Sequence, residues 1–591
     1  MPPLLLWTLL LLSARARCET FDYVIAGGGT AGMVLANRLS EDPGVRVAVV
    51  EAGADARAYP NVTRIDLDGL NYINASVDWA YTSVPQPGLG NRSLLYHAGK
   101  ALGGTSNING MVYLRGDEAQ FDAWETLGNE GWNWRTLLAY YRRSENFTIP
   151  SAAQTAAGAT FEEQYHGRGG FLTTGMPNGL DNSTFPAGYL RAWNELGVPH
   201  NADPESGVTE GFAIHPQTLD RDAGVRETAA RAYYTPVEGR PNLKVIRGTV
   251  SRLVWADTYG EEIVACGVEY LDTSGVLSTV TVAKEVIVSA GTLRSPLVLE
   301  ASGIGNPSIL SSYGIDVQVD LPGVGEGMSD QQLVGLVYDT SENIPGFHPF
   351  VTFVNAQDLF GNETSSTAES TAAKIATWAQ AVSESSNGAL SPEALQARFQ
   401  LQHDLIFKAN VSVVEVMPYV SAGTIASVVW VLMPFSWGSA HLSTSSAADG
   451  PVIDPRHISV DFDVDVLAAA GRLSQRLYET APVARWVAGP RDPGGVPALG
   501  ASDDVWRDFI LDTVGTAYHE IGTCAMLPRE LGGVVDSRLK VYGTRNVRVV
   551  DASALPLQMS GNPSGTVYAF AERAADIIKA AAAAAVCDEE A

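Results

Sequence analysis

The chain has 591 residues, of which 46% are hydrophobic and 18% charged, so it is a globular protein long enough for more than one packing unit. Its formal net charge is −27. This charge argues against nucleic acid or an anionic membrane surface as a partner, because both bind basic surfaces.

Residues 1–18 are predicted to form a secretory signal peptide. Leu4–Leu12 is an apolar run too short to span a bilayer, and the following Ala-Arg-Ala matches a small-x-small cleavage site. Seven N-glycosylation sequons also indicate the secretory pathway, and they begin at Asn61, Asn74, Asn91, Asn146, Asn182, Asn362 and Asn410. We therefore expect a secreted, extracellular glycoprotein that is not held by a membrane.

The four cysteines do not form a recognisable framework. They are Cys18, Cys266, Cys524 and Cys587, with no CxxC motif and no Cys/His spacing typical of zinc. We expect no metal site, and the sequence does not require a disulfide.

The first elements after the leader form a predicted β-α-β unit. Tyr23–Ala26 is a short apolar run typical of a buried parallel strand, Met33–Leu39 follows as a helix, and Val45–Val50 indicates a second strand. The glycine-rich sequence GGGTAG lies between the first strand and the helix, at residues 27–32. This order of elements is typical of a dinucleotide-binding site.

Each glycine of this fingerprint has a separate predicted task. Gly27 permits the tight turn, Gly29 lets the backbone approach a pyrophosphate, and Gly32 lets the helix pack on the strand. Thr30, between the last two, is counted with the cofactor-binding residues. Glu51 ends the second strand, where an acid can bond the adenosine ribose and would disfavour a 2′-phosphate. These residues alone leave FAD and NAD both open.

Four later segments carry further motifs. Residues 96–116 contain the loop GGTSNINGM, and residues 285–305 indicate a buried strand, an Ala-Gly turn and a helix. Residues 517–526 read AYHEIGTCAM, and residues 546–578 indicate a strand, a loop and a helix that begins near Asn562. Together with the fingerprint, these segments closely resemble the glucose-methanol-choline (GMC) oxidoreductase family. The resemblance runs from about residue 21 to 578 in the family order and is greatest for secreted fungal members, which include aryl-alcohol oxidases and the oxidases and cyclases of aromatic polyketide pathways.

The resemblance implies an α/β protein with two parts: a Rossmann-like FAD-binding domain and an α+β substrate-binding domain. The FAD-binding domain is predicted to be discontinuous, at residues 21–325 and 530–585, with the substrate-binding domain at 326–525. Residues 355–395 are rich in Ser, Ala and Thr and lack a glycine-strand signature, as expected of a surface insertion or a lid.

The resemblance also implies which residues hold FAD. Val250 is included because VIRGTVSRLV resembles the segment whose backbone flanks adenine in the family, although an ordinary strand valine is an alternative. In some members a histidine in the GGTSNINGM-like loop bonds the flavin covalently, but Ile108 occupies that position here, so noncovalent FAD is expected. The predicted cofactor-binding residues are Gly27, Gly29, Thr30, Gly32, Glu51, Gly103, Gly104, Thr105, Asn109, Val250, Asp551 and Ala552.

The resemblance assigns the reacting pair to His519 and Asn562. Oxidation of an alcohol needs a base for the hydroxyl proton while hydride leaves carbon for flavin N5, and histidine suits that task. Asn562 cannot act as a base, so it is expected to orient the substrate hydroxyl and stabilise the developing alkoxide. A role for Asn562 only as a helix cap is the alternative. Glu520 could tune the pKa of His519 or point to solvent.

The predicted function is oxidation of a primary or secondary alcohol to a carbonyl, with an aromatic or secondary-metabolite alcohol favoured. The partners would be this small molecule and O2 or another electron acceptor, and the sequence leaves oxidase and dehydrogenase, and monomer and homodimer, open. A redox-neutral cyclase or dehydratase of a polyketide pathway that retains the FAD fold is the alternative function.

Overall fold

The computed structural model describes residues 19–65, 76–257, 260, 262–492 and 495–590. The predicted signal peptide and the sequon at Asn74 lie outside these residues. Cys266 and Cys524 carry free thiols. No helix in the described part of the chain is both long enough and apolar enough to cross a membrane.

Most of the described strands have fewer than eight residues. Numbered in chain order, they are β1 Thr20–Ala26, β2 Val47–Glu51, β3 Tyr81–Thr82, β4 Leu95–Tyr96, β5 Glu145–Thr148, β6 Leu172–Gly175, β7 Gly211–Ile214, β8 Leu219–Asp220, β9 Val225–Arg226, β10 Leu243–Trp255, β11 Ala265–Asp272, β12 Leu277–Val288, β13 Ile304–Gly305, β14 Val319–Asp320, β15 Glu326–Ser329, β16 Gln332–Thr340, β17 Phe350–Val354, β18 Val414–Ser421, β19 Thr424–Val431, β20 Trp437–Leu442, β21 Pro451–Asp454, β22 Val487–Pro490, β23 Gly515–Thr516 and β24 Val547–Val549.

The α-helices, also in chain order, are α1 Thr30–Leu39, α2 Pro60–Thr63, α3 Glu118–Thr126, α4 Trp134–Ser144, α5 Ala152–Ala156, α6 Phe185–Glu195, α7 Ser295–Ala301, α8 Pro307–Ser312, α9 Ala356–Phe360, α10 Thr364–Ser385, α11 Pro392–Phe407, α12 Asp461–Glu479, α13 Ala481–Ala484, α14 Asp503–Thr513 and α15 Pro563–Glu590.

The first sheet has a parallel core in the order β10, β2, β1, β12, β24. Strand β11 joins the extended ends of β10 and β12 by antiparallel pairing. The side chains of β1 and β2 are almost all apolar and buried, because α1 packs on these two strands and α15 packs on α1. The predicted β-α-β unit is confirmed as β1, α1 and β2, with boundaries shifted by at most three residues.

The second sheet is antiparallel, in the order β22, β16, β19, β18, β17, β7, with β23 paired to β16. On β16 the side chains of Val334, Leu336 and Tyr338 are buried, and α12 packs against this strand. The alternate residue Leu333 lies on the opposite face, next to its cross-strand neighbour Trp430 on β19. That face borders the cavity described below.

The strands of each sheet do not all come from one continuous segment of the chain. Strand β7 falls inside the predicted N-terminal part of the FAD-binding domain, yet it pairs with β17 in the second sheet. Strand β24 falls inside the predicted C-terminal return and pairs with β12 in the first sheet. The observed sheets differ from the predicted domain boundaries because strands far apart in sequence pair with each other. The sequence of a short strand such as β7 does not indicate which strand it will pair with.

The segment predicted as an insertion or lid forms a helical hairpin. Helices α10 and α11 pack on each other, and Trp378 and Phe399 contact Phe435 from the second half of the chain. None of residues 355–407, all of which the structure describes, lines the cavity. The hairpin therefore does not border this cavity, and it has the place of an insertion that packs on Phe435.

Candidate active site

A cavity of about 400 Å³ lies between the two sheets. Its floor is formed where the parallel strands β1, β2, β12 and β24 end, which is where ligands bind in open α/β sheets. Its opposite wall includes Leu333 and Trp430 of the second sheet, and the segments that carry His519 and Asn562 close the remaining side. The cavity therefore joins the predicted cofactor-binding loops to the segments that carry His519 and Asn562.

The geometry of the fingerprint glycines agrees with the tasks predicted for them. Gly27 has a φ of +112°, and a Cβ there would lie 2.3 Å from the carbonyl oxygen of Ser289. A Cβ on Gly32 would lie 2.1 Å from the carbonyl oxygen of Gly27, so the helix and the strand can meet only at a glycine. A Cβ on Gly29 would instead meet no protein atom closer than 3.9 Å, because it would project into the cavity.

The N-terminus of α1 suits an anionic ligand. Within the described residues, no side chain caps this helix, and its first turn holds no acid. Its free N–H groups and the positive end of its dipole therefore face the cavity without a protein partner. This arrangement fits the pyrophosphate of a dinucleotide.

Glu51 closes the turn beside this helix. One carboxylate oxygen accepts a hydrogen bond of 2.8 Å from the backbone N–H of Gly28, and the other accepts one of 2.5 Å from Gly53. Burial raises the pKa of Glu51, and these two backbone donors oppose that effect. The carboxylate lines the cavity and keeps lone pairs for a ribose hydroxyl.

The structure brings most of the predicted cofactor-binding residues to this cavity. Those that line it are Gly27, Gly29, Thr30, Glu51, Gly104, Thr105, Asn109, Val250, Asp551 and Ala552. Gly32 and Gly103 lie outside this lining, and their contact with the cofactor stays a prediction. The N–H of Gly103 bonds the carbonyl oxygen of Gly28 at 2.8 Å, which holds the two glycine loops together.

Asp551 joins two of these loops. Its carboxylate accepts hydrogen bonds from the Gly291 N–H at 2.8 Å and from the hydroxyl groups of Ser295 and Ser553, both at 2.5 Å. These donors lie in the segments that follow β12 and β24. The hydrogen bonds of Asp551 therefore hold these two segments together. Its direct contact with a cofactor stays a prediction.

The two predicted catalytic residues, 43 positions apart in sequence, are in contact. His519 Nε2 lies 3.0 Å from the side-chain nitrogen of Asn562. His519 Nδ1 lies 2.7 Å from Oε1 of Gln331. The backbone N–H of His519 donates to Asp330 at 3.1 Å, and its carbonyl oxygen accepts a hydrogen bond from Gln558 at 2.9 Å. The imidazole is thus held at both ends and from its backbone.

The surroundings keep His519 unprotonated at neutral pH. Burial lowers its pKa to about 4, and the negative charge of Asp330 only partly opposes this. A neutral imidazole has one nitrogen with a free lone pair, which is what a general base requires. The ring is 9% exposed, and this exposure is toward the cavity that it lines.

Glu520, the residue after His519, also belongs to the cavity wall and does not point to bulk solvent. Its Oε2 atom is buried without a hydrogen-bond partner. Burial and then the charge of Asp330 raise the pKa of Glu520 to about 8. The carboxylate of Asp330 itself accepts hydrogen bonds from the hydroxyl groups of Thr516 and Tyr96 and from the backbone N–H of His519. Glu520 is therefore an uncharged acid at neutral pH.

The raised pKa of Glu520 leads to a prediction about how the stability of the folded protein depends on pH. Between its ordinary pKa of 4.5 and about 8, the folded protein holds a proton that the unfolded chain has released, so stability falls as pH rises. Glu520→Gln removes this titration, so its Tm relative to wild type should increase from pH 5 to pH 8 and then level off. Thermal unfolding of both holoproteins across this range measures the difference. Glu342→Gln, at an exposed site, is the control, and a pH-independent difference for Glu520→Gln would contradict the prediction.

Several cavity residues escaped the sequence analysis. Trp430, Leu333 and Val112 surround the reacting pair with apolar surface, and the ring of Trp430 meets that of His519 edge to face at 6.2 Å. His97 lines the same cavity, although its Nδ1 is bonded to Asp78 at 2.6 Å. The sequence signal that could have indicated a role for His97 in the cavity is its position next to the glycine loop that resembles the family motif. Trp430, Leu333 and Val112 lie in strands or loops whose apolar sequence does not differ from that of other buried segments.

One cluster of described residues has the spacing of metal ligands: His166, Asp203 and Glu205. His166 Nε2 lies 3.1 Å from Asp203, and Nδ1 lies 3.2 Å from Glu145. Although burial lowers the pKa of His166, hydrogen bonds to Asp203 and Glu145 raise it to about 10. A ring protonated on both nitrogens offers no lone pair to a metal. The expected lack of a metal site stays a prediction.

Comparison with known proteins agrees with these features. The family model described as GMC oxidoreductase matches residues 21–333 with its N-terminal part and residues 434–571 with its C-terminal part. The glucose oxidase-like protein fsoC of Humicola fuscoatra is 48% identical over 574 residues, covering 96% of this chain and 97% of that protein.

Two solved structures have the same fold. An FAD-dependent oxidoreductase from Chaetomium thermophilum has a TM-score of 0.85 at 30% identity, covering 95% of this chain and 99% of its own. A fungal aryl-alcohol oxidase has a TM-score of 0.82 at 28% identity, covering 94% and 98%. With both parts of the family model matched and a relative 48% identical over nearly the whole chain, the chain belongs to the GMC oxidoreductase family.

Proposed function

We propose that this protein is a secreted, FAD-dependent alcohol oxidase or dehydrogenase that oxidises an aromatic or secondary-metabolite alcohol to its carbonyl. The observation that carries the proposal is the contact between His519 and Asn562 in the wall of a cavity that also contains a dinucleotide fingerprint. Membership of an oxidoreductase family and likeness to an FAD-dependent oxidoreductase support FAD as the cofactor.

The residues fit FAD without a covalent bond. The uncapped N-terminus of α1 and the open space at Gly29 suit a pyrophosphate, and Glu51 suits the adenosine ribose. Ile108 lines the cavity and has no nucleophilic atom. When bound, FAD supplies the acceptor for the hydride. The protein supplies position, a proton acceptor and a water-poor cavity.

The catalytic pair divides the work on the alcohol. His519 is unprotonated, so its nitrogen takes the hydroxyl proton as the C–H bond breaks. The amide of Asn562 has two hydrogens, and before substrate binds one is directed at the His519 Nε2 lone pair, from which the substrate hydroxyl must displace it. The second can bond the substrate oxygen and stabilise its negative charge. The neighbouring Glu520 is uncharged and adds no repulsion toward an alkoxide at neutral pH.

The walls of the cavity support an aromatic or otherwise apolar substrate. Close to the catalytic pair they are formed by Trp430, Leu333, Val112, Met111 and Tyr518. Recognition of a sugar needs several polar groups around its hydroxyls, because a buried hydroxyl without a partner costs about 1–3 kcal/mol. The likeness to a protein described as an aryl-alcohol oxidase agrees with this choice.

The sequons support secretion. Asn61, Asn91, Asn182, Asn362 and Asn410 are all exposed. A glycan needs such exposure, and the remaining described sequon at Asn146 is half-buried. These positions, together with the predicted leader, form the basis of the localisation that we propose.

One experiment tests both parts of the proposal. The full chain, expressed with its own leader in a eukaryotic host, is expected in the culture medium and should lose mass when N-linked glycans are removed. The recovered holoprotein is then mixed with a panel of aryl and aliphatic alcohols and sugars under argon. We expect aryl alcohols to bleach the flavin absorbance, and hydrogen peroxide release in air to distinguish an oxidase from a dehydrogenase.

Three outcomes would contradict the proposal. Faster bleaching by sugars than by aryl alcohols would exclude the substrate class. Conversion of a substrate without bleaching would instead support the redox-neutral cyclase or dehydratase, in which the base acts and the flavin only supports the fold. Retention of an unglycosylated protein inside the cell would contradict secretion.

A further inference from the structure

Gln331 is fully buried and lies in the short connection between β15 and β16. Its side chain spans three segments of the chain that are far apart in sequence. The side-chain nitrogen donates to the carbonyl oxygens of Leu432 at 3.0 Å and Met559 at 2.9 Å. Its oxygen lies 2.7 Å from His519 Nδ1. These contacts account for both amide hydrogens and the amide oxygen.

The two carbonyl groups fix the orientation of this amide. A carbonyl oxygen can only accept, so the atom of Gln331 that faces Leu432 and Met559 must be the NH2 group. Turning the amide over would place its oxygen against two other oxygens and leave three buried oxygen atoms without a donor. The oxygen of Gln331 is therefore the atom that faces His519.

The orientation of Gln331 determines the tautomer of His519. The Gln331 oxygen is an acceptor, so His519 Nδ1 must carry the hydrogen of the neutral ring. His519 Nε2 is then unprotonated, which agrees with a donor, the amide of Asn562, at 3.0 Å from it. We infer that Gln331 is a positioning residue of the alcohol oxidation, which makes Nε2 of His519 the proton acceptor by holding the hydrogen on Nδ1. This inference rests on the function proposed above.

Gln331 also acts after the proton has moved. When the alcohol gives its hydroxyl proton to Nε2, the ring becomes an imidazolium with a hydrogen on each nitrogen, and the hydride leaves carbon for the cofactor. The Nδ1 hydrogen is still accepted by Gln331, and Asp330 supplies a negative charge near the backbone of His519. The neutral amide thus keeps the charged ring hydrogen-bonded at Nδ1 while raising the resting pKa of His519 less than a carboxylate would.

Two substitutions separate these effects. Gln331→Met keeps the length of the side chain and removes the acceptor, so both tautomers become available and the base nitrogen is no longer specified. We expect flavin reduction to slow by roughly 10- to 10,000-fold, the upper value being the loss that a wrong tautomer causes in serine proteases. Gln331→Glu keeps an acceptor but adds a charge, so the imidazolium is favoured and the pKa of His519 rises.

The pH profile is the readout that a purely structural residue would not change. Since the base must be unprotonated, the rate of anaerobic flavin reduction in the wild type should fall as pH drops toward about 4. In Gln331→Glu this fall should move to higher pH by about 1 to 3 pH units. Gln402 supplies a matched control, because it is equally buried and donates to the carbonyls of Met433 and Pro434 without touching His519. Gln402→Glu should leave the pH at which the rate falls unchanged.

Nitrogen NMR decides the tautomer without any turnover. The holoprotein is labelled with 15N at the histidine rings, and the signals of His519 are assigned by their absence in His519→Gln. We expect Nε2 to resonate as the unprotonated nitrogen in the wild type, and this preference to be lost in Gln331→Met. An unprotonated Nδ1 in the wild type, or an unchanged pH profile in folded, flavin-loaded Gln331→Glu, would overturn the inference. If no alcohol bleaches the flavin, the proposed function fails while the NMR result still decides the role of Gln331.

Discussion

His519→Ala is expected to bind FAD normally but to reduce it with alcohol roughly 100- to 10,000-fold more slowly than the wild type, which is the usual contribution of a general base. The physical reason is that the described cavity offers no equivalent replacement near Asn562. Asn562 has no titrating group, and Glu520 is protonated at neutral pH and cannot accept a second proton there. Stopped-flow measurement of flavin bleaching under argon gives the rate directly.

Two controls make the result specific to His519. The absorbance of bound flavin should match that of the wild type, whereas the Tm should fall, because the buried oxygen of Gln331 loses its partner at about 1–3 kcal/mol. His200→Ala removes an exposed histidine outside the cavity and should leave the rate unchanged. Undiminished flavin reduction by His519→Ala would refute the assignment of the base and support a different reaction at this site.

Gly29→Ala is expected to fold but to bind FAD more weakly. A Cβ at this position meets no protein atom closer than 3.9 Å, so the apoprotein should keep its Tm. The added methyl group projects to where the backbone would approach a pyrophosphate. Loss of one hydrogen bond to a charged group costs about 1.5–3 kcal/mol, which is roughly a 10- to 150-fold higher Kd. Fluorescence titration of the apoprotein with FAD measures this change.

Comparison with two other glycines separates binding from folding. Gly27→Ala would place its Cβ 2.3 Å from a backbone oxygen at a φ of +112°, so it should impair folding itself. Gly239→Ala lies in open space on the surface and should change neither Tm nor Kd. If Gly29→Ala bound FAD as tightly as the wild type, the pyrophosphate would not lie at the N-terminus of α1.

Local sequence allowed prediction of the first β-α-β unit. The strand, glycine turn and helix at residues 20–39 could be predicted from their apolar pattern and glycine spacing, whereas the backbone atom that requires glycine at position 27 belongs to the distant Ser289. His519 and Asn562 could be selected because their motifs resemble those of a known family. Their contact across 43 residues then agreed with that choice.

Only the tertiary structure decided what surrounds the base. Gln331 is 188 residues from His519, and Trp430 reaches the cavity through the register of β19 with β16. A shift of one residue in that register would turn Trp430 away from the cavity, and nothing in the local sequence specifies the partner strand. For the same reason the sequence did not show that β7 belongs to the second sheet. The tautomer of His519 likewise depends on two backbone carbonyl groups from segments that meet only when the chain has folded.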